Sequence, residues 1–127
     1  MVKHSYKTKH PRKYIGTDME SHNRDYFGKN WSSVMLINCA HPEWRQITPR
    51  SIEGMSGEQL HRFSFMESSE VGELPVEWNW LVDEFGENEN AEVLHWTAGI
   101  PAFPNYKNAP MAEEWFKAEA KMKYATP

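Results

Sequence analysis

Hydrophobic residues in this chain come in short runs, each bounded by polar or turn-forming positions. The clearest run is "SSVMLIN", residues 32–38. Its hydrophobicity is continuous rather than alternating, which predicts a short strand covered on both faces. "EVLHW", 92–96, reads as a second strand ending in His95. Between them, "ELPVEWNWLV", 73–82, alternates around Pro75 and predicts a short extended segment, followed by the acidic loop "DEFGENENAE".

Helix signals fall elsewhere. Thr48 is an N-cap candidate with Pro49 at the first helical position, and Ser56 with Gln59 forms a capping box. These predict two short helices, about 49–54 and 57–63, and His41-Pro42 starts a further turn. The last element runs from Asn108 as cap. Glu113 and Glu114 lie in its first turn, and Lys121 and Lys123 in its last. Met111, Trp115, Ala118 and Met122 recur at helical spacing, so one face is expected to pack inward.

Residues 1–30 are polar and read mostly as loop, although "MVKH" resembles a strand start. Two buried-type strands separated by helices predict an α/β (or α+β) layer: a few-stranded mixed sheet, short helices and a C-terminal amphipathic helix. Two strands are few for such a layer, so the chain reads as one side of something larger.

Composition narrows the function. A length of 127 residues predicts one domain, 1–127. Residues 1–30 hold seven Lys/Arg against three Asp/Glu, and the remainder seven against fifteen. That acidic bulk argues against nucleic acid as partner. Cys39 is the only cysteine, and no apolar run is long enough to span a membrane, so a reducing, cytoplasmic setting is expected. Placed after an apolar strand, Cys39 reads as an inert core thiol rather than a nucleophile.

His95 stands at the carboxyl end of a strand and before a glycine turn, where α/β folds bind ligands. An imidazole there can ligate a divalent metal, hydrogen-bond a phosphate, or simply cap the strand. Gly99 would let backbone approach a ligand closely. "KNWSS" (29–33) and "EWNWL" (77–81) combine indoles, amides and hydroxyls, the side chains that hold sugar rings. The same tryptophans could equally be packed in a core. Glu67, Glu70 and Glu73 form either an exposed acidic loop or the wall of a polar site.

The succession "KNWSSVMLINCAHPEWRQITP", "LHRFSFMESSEVGELPVEWNWLV" and "VLHWTAGIPAFPNY" resembles the C-terminal half of bacterial and phage glycosyltransferases related to glycosyltransferase family 8. The likeness runs over roughly residues 1–117. It implies a partial GT-A fold, a Rossmann-like layer, and transfer of a sugar from a nucleotide-diphosphate sugar to a carbohydrate acceptor, usually with Mn²⁺. It implies that His95 ligates the metal and that Gly99 lines the diphosphate. It places Trp31, Ser32 and Ser33 at the sugar, and Trp78 and Asn79 behind the acceptor. The DxD that would complete the metal site is absent from these residues, and Ile100-Pro101 stands where the resemblance implies Lys-Pro. The implied role is an acceptor-side portion completed by a missing DxD-bearing half, and the sheet edge and apolar surface that a half-domain exposes predict a homo-oligomer or a missing-half partner. The alternative is a non-catalytic carbohydrate-binding or protein-interaction module.

Overall fold

The computed structural model describes residues 1–124. The chain forms two compact units, each assembled from separated stretches: residues 1–6 with 26–78, and residues 7–25 with 79 onward.

The first unit is built from short helices and turns. Helix α1 is Pro49–Glu53 and α2 is Gly57–His61. Both start where the caps predict. Ser51 N–H donates to Thr48 Oγ1 at 3.1 Å, while Thr48 N–H donates to Ser51 Oγ at 2.9 Å. Ser56 and Gln59 make the same reciprocal pair at 3.2 and 2.8 Å. Helices this short have few internal hydrogen bonds, so the caps hold their ends. Further 3₁₀ turns lie at Trp31–Ser33, Pro42–Gln46 and Ser68–Glu70.

Aromatic packing joins these turns. Trp44 meets Phe63 and Phe65 at ring-centroid separations of 6.4 and 6.2 Å, and its indole N–H donates to the Asn38 carbonyl at 2.9 Å. The amino terminus is tied in as well. Met1 donates to the Gly72 carbonyl at 3.1 Å, Leu74 N–H returns to the Met1 carbonyl at 2.9 Å, and Val2 is buried. "MVKH" is thus anchored without being a strand.

The apolar run 32–38 departs from expectation. Its first residues form the 3₁₀ turn, Val34 is extended (φ −135°, ψ 126°), and residues 35–38 are neither strand, helix nor turn. The N–H groups of Met35, Leu36 and Ile37 make no hydrogen bond to the described residues. Leu36 is 81% exposed, and Met35 and Ile37 are also exposed. Cys39, expected in a core, is exposed too, because the segment that precedes it lies at the surface rather than in a covered strand.

The second unit holds all the strands among the described residues. β1 (Arg12–Lys13) and β2 (Ser21–His22) pair antiparallel, Arg12 opposite His22. β3 (Trp80–Leu81) and β4 (Leu94–His95) pair parallel, with Leu81 opposite His95. β3 runs directly into helix α3, Val82–Phe85, which stops at Gly86 with φ +84°. The predicted extended segment 73–82 is therefore mostly a 3₁₀ turn, Val76–Asn79, followed by this short strand.

Leu81, Val82, Trp96, Ala98 and Ala112 form the second unit's core. Helix α4, Ala112–Tyr124, leans on it at its first turns. Trp115 meets Trp96 edge-to-face at 5.8 Å, and Trp96 donates to the Pro110 carbonyl at 2.9 Å. Met111 has φ +56°, so α4 begins after it rather than at an Asn108 cap. Only the first turns of α4's apolar face are covered, since Met122 is 79% exposed.

This is a small mixed fold of helices with two short sheets. No Rossmann-like GT-A layer is formed among the described residues. Parallel pairing is confined to two residues per strand, and the run expected to supply another strand pairs with no strand among the described residues. No helix among the described residues is long and apolar enough to cross a membrane.

Candidate functional site

Within the second unit, β4 delivers His95 to the carboxyl end of the parallel pair. Its Nδ1 lies 3.0 Å from Asn79 Oδ1, and Asn79 is fully buried. An amide oxygen only accepts, so Nδ1 carries the proton and Nε2 carries the lone pair. Burial holds the imidazole below its ordinary pKa, in the neutral form. Nε2 makes no hydrogen bond within the described residues and is not sealed from solvent. The result is a neutral, oriented acceptor.

Two residues on, Thr97 is buried, and its hydroxyl has no hydrogen-bond partner. The following backbone is pinned by Asp83, whose Oδ2 accepts from Ala98 N–H at 2.8 Å. Burial raises the Asp83 pKa, against the pull of the Ala98 N–H. Beside it in sequence, buried Glu84 accepts from the Thr8 hydroxyl and, at 2.8 Å, from Lys9 N–H. His10 Nε2 donates to the Asp83 carbonyl at 2.9 Å. The half-buried Asp83 and buried Glu84 carboxylates accept from N–H and O–H donors, Asp83 bracing the backbone at Ala98 and Glu84 bracing the loop 7–10.

Gly99 has an internal packing reason. A Cβ there would stand 2.6 Å from Cε2 and Cζ of the Tyr106 ring. The Tyr106 hydroxyl in turn accepts from Ile15 N–H at 2.9 Å.

The residues expected to hold Mn²⁺ do not fit one. No group of three or more His, Cys, Asp or Glu able to ligate a metal occurs among the described residues. His95 alone supplies a single ligand, and no step is assigned to a metal.

In the first unit, Trp31 donates its indole N–H to the His4 carbonyl at 2.9 Å. Its ring meets Phe27 at 5.0 Å and has the Lys3 ammonium 5.9 Å from its centre. Ser32 Oγ is 2.8 Å from His61 Nδ1, and Ser33 N–H closes the turn on the Asn30 carbonyl. Trp78 is 47% exposed. The expected substrate-binding residues thus fall in both units: Trp31, Ser32, Ser33 and Trp78 in the first, Asn79, His95 and Gly99 in the second.

One feature escaped the sequence reading. The first unit contains a pocket of about 130 Å³. Met1, Met35, Ile37, Trp44, Phe63 and Met66 make it apolar, Leu36 stands at its rim, and Asn38, His41 and Glu70 give it a polar side. His41 Nε2 lies 3.5 Å from Glu70 Oε1 there. The sequence signal was the absence of any Asp, Glu, Lys or Arg between Lys29 and Glu43.

The chain is 34% identical over 119 residues to Protein CDI of Arabidopsis thaliana, a match that takes in 90% of this chain and 44% of that protein. The chain therefore spans less than half the length of this curated relative. No family model matches the chain, and no solved structure does. The expected kinship with glycosyltransferase family 8 does not hold. The succession of motifs that suggested it lies within the stretch aligned with Protein CDI, and no glycosyltransferase family is matched.

Proposed function

We propose that the chain is a protein-interaction module whose first unit presents the binding face. The observation that carries this reading is the uncharged segment 35–37, exposed and with its N–H groups bonded to none of the described residues, beside an apolar pocket of about 130 Å³. Free strand-forming backbone is a template for another chain, and natural edges are usually blunted by charge or proline. Neither occurs in 34–37. More than half of Protein CDI lies outside the matched stretch, so in that relative the equivalent face has further polypeptide available to it. The exposed thiol of Cys39 supports a reducing, cytoplasmic setting.

Selection from a displayed library of short random peptides tests the reading. Enriched peptides should be apolar and uncharged at their centre, and should lose binding to a Met66→Trp variant whose pocket is filled. A library that yields no peptide dependent on this pocket would refute it.

A second reading, a sugar-binding part of a larger transfer site, is favoured by His95 and Asn79. A neutral imidazole at the carboxyl ends of parallel strands is placed to accept from a ligand hydroxyl. Titration with free hexoses and nucleotide-diphosphate sugars, followed through the His95 ring resonances, tests it. Unmoved resonances at saturating ligand would eliminate it.

A further inference from the structure

We infer that the occupant of this face is a second copy of the chain, the two copies related by a two-fold axis beside Leu36, with each Leu36 seated in the other's pocket. The inference rests on the interaction reading and names its partner. A knob and a hole stand side by side on one surface. Leu36 is 81% exposed and, with its neighbours Met35 and Ile37, is one of the residues that line the pocket. Two-fold symmetry makes such an arrangement self-complementary, because each surface offers what the other lacks.

The sizes agree. A cavity of about 150 Å³ holds a benzene molecule, so a pocket of about 130 Å³ accommodates one branched aliphatic side chain. Charge agrees as well. No Asp, Glu, Lys or Arg lies between Lys29 and Glu43, so the two identical segments bring no charge of their own to the contact, and the Glu70 carboxylate on the pocket's polar side has His41 Nε2 3.5 Å away. The free N–H groups on whichever edge of residues 35–37 meets the facing chain then find acceptors there. A foreign peptide could supply the acceptors, but only a second copy is certain to bring the exposed leucine.

Sedimentation equilibrium over a concentration series provides the test, with hydrogen exchange at 35–37 measured in parallel. The wild-type chain should dimerise, and these amides should gain protection as concentration rises. Leu36→Lys should weaken association about 100-fold or more, because two apolar burials are lost per dimer. Met66→Trp should do the same from the pocket side. Met122→Lys alters an equally exposed apolar residue on α4 and should leave the constant within about threefold. A wild-type chain that stays monomeric at millimolar concentration overturns the inference, as does a dimer indifferent to Leu36→Lys and Met66→Trp. A monomer that still binds selected peptides would fail the second-copy inference alone, and loss of both would sink the interaction reading too.

Discussion

Gly99→Ala is the substitution whose effect the structure specifies most closely. The added methyl would fall 2.6 Å from Cε2, 2.6 Å from Cζ and 2.8 Å from Cδ2 of Tyr106. Carbon atoms pack at about 3.5–4.0 Å, so the ring must retreat by roughly 1 Å. It is not free to do so. Its hydroxyl accepts from Ile15 N–H at 2.9 Å, its edge meets Phe103 at 6.5 Å, and its backbone closes a 3₁₀ turn. Overpacking of this kind costs about 1–3 kcal/mol. Losing the Tyr106 hydrogen bond adds about 1 kcal/mol, giving about 2–4 kcal/mol in all. For a chain of this length that corresponds to a fall in Tm of roughly 8–15 °C. Urea unfolding and calorimetry of Gly99→Ala, Tyr106→Ala and the double variant provide the assay. The double variant should be markedly more stable than the sum of the singles, because removing the ring removes the clash. A Gly99→Ala protein within about 0.5 kcal/mol of wild type would show that the ring yields freely and refute the reasoning.

Two further predictions share that urea assay. At Gly57, the first residue of α2, an added Cβ meets nothing within 4 Å, so Gly57→Ala should stabilise the chain by up to about 1 kcal/mol; destabilisation would contradict the packing described. His95 contributes a pH dependence of definite sign. Its folded pKa lies below the ordinary 6.5, so its contribution is complete above that value and is lost as pH falls through the folded pKa, where the unfolded chain binds a proton that the folded imidazole resists. The stability gap between wild type and His95→Gln should therefore change between pH 8 and pH 5, and a gap that stays constant would rule out the buried, neutral imidazole.

Local rules were legible in the sequence, and long-range ones were not. Thr48 and Ser56 start helices because a cap is decided within three residues; the Ser56–Gln59 capping box forms as predicted, and Thr48 forms one with Ser51 as well. The acidic start and basic end of α4 were readable for the same reason. Strand 92–96 was placed correctly at its centre, Leu94–His95. The error at 32–38 has a physical origin. Continuous hydrophobicity signals a demand for cover, and it cannot say whether the cover lies within the same chain. Gly99 raised the same difficulty, since glycine marks a close approach without naming what approaches. The bond from His95 to Asn79 joins residues that no spacing rule connects, although both had been singled out. The kinship expected from the motif succession failed because short apolar, Trp- and Gly-containing segments are shared widely among unrelated folds.

The interleaving of the two units has a consequence for synthesis. Residues 7–25 belong with residues 79 onward, yet 26–78 must be made between them. At about 5–20 residues per second, that leaves the first stretch waiting for several seconds on the ribosome. During that interval Thr8 and Lys9 wait for Glu84, and the Tyr14 N–H waits for the Ala98 carbonyl. The first unit, by contrast, has all its pieces once residue 78 has emerged. A nascent chain halted there would already hold the capped helices and the apolar pocket, while its polar stretch 7–25 stayed soluble and unassembled until the last helix arrived.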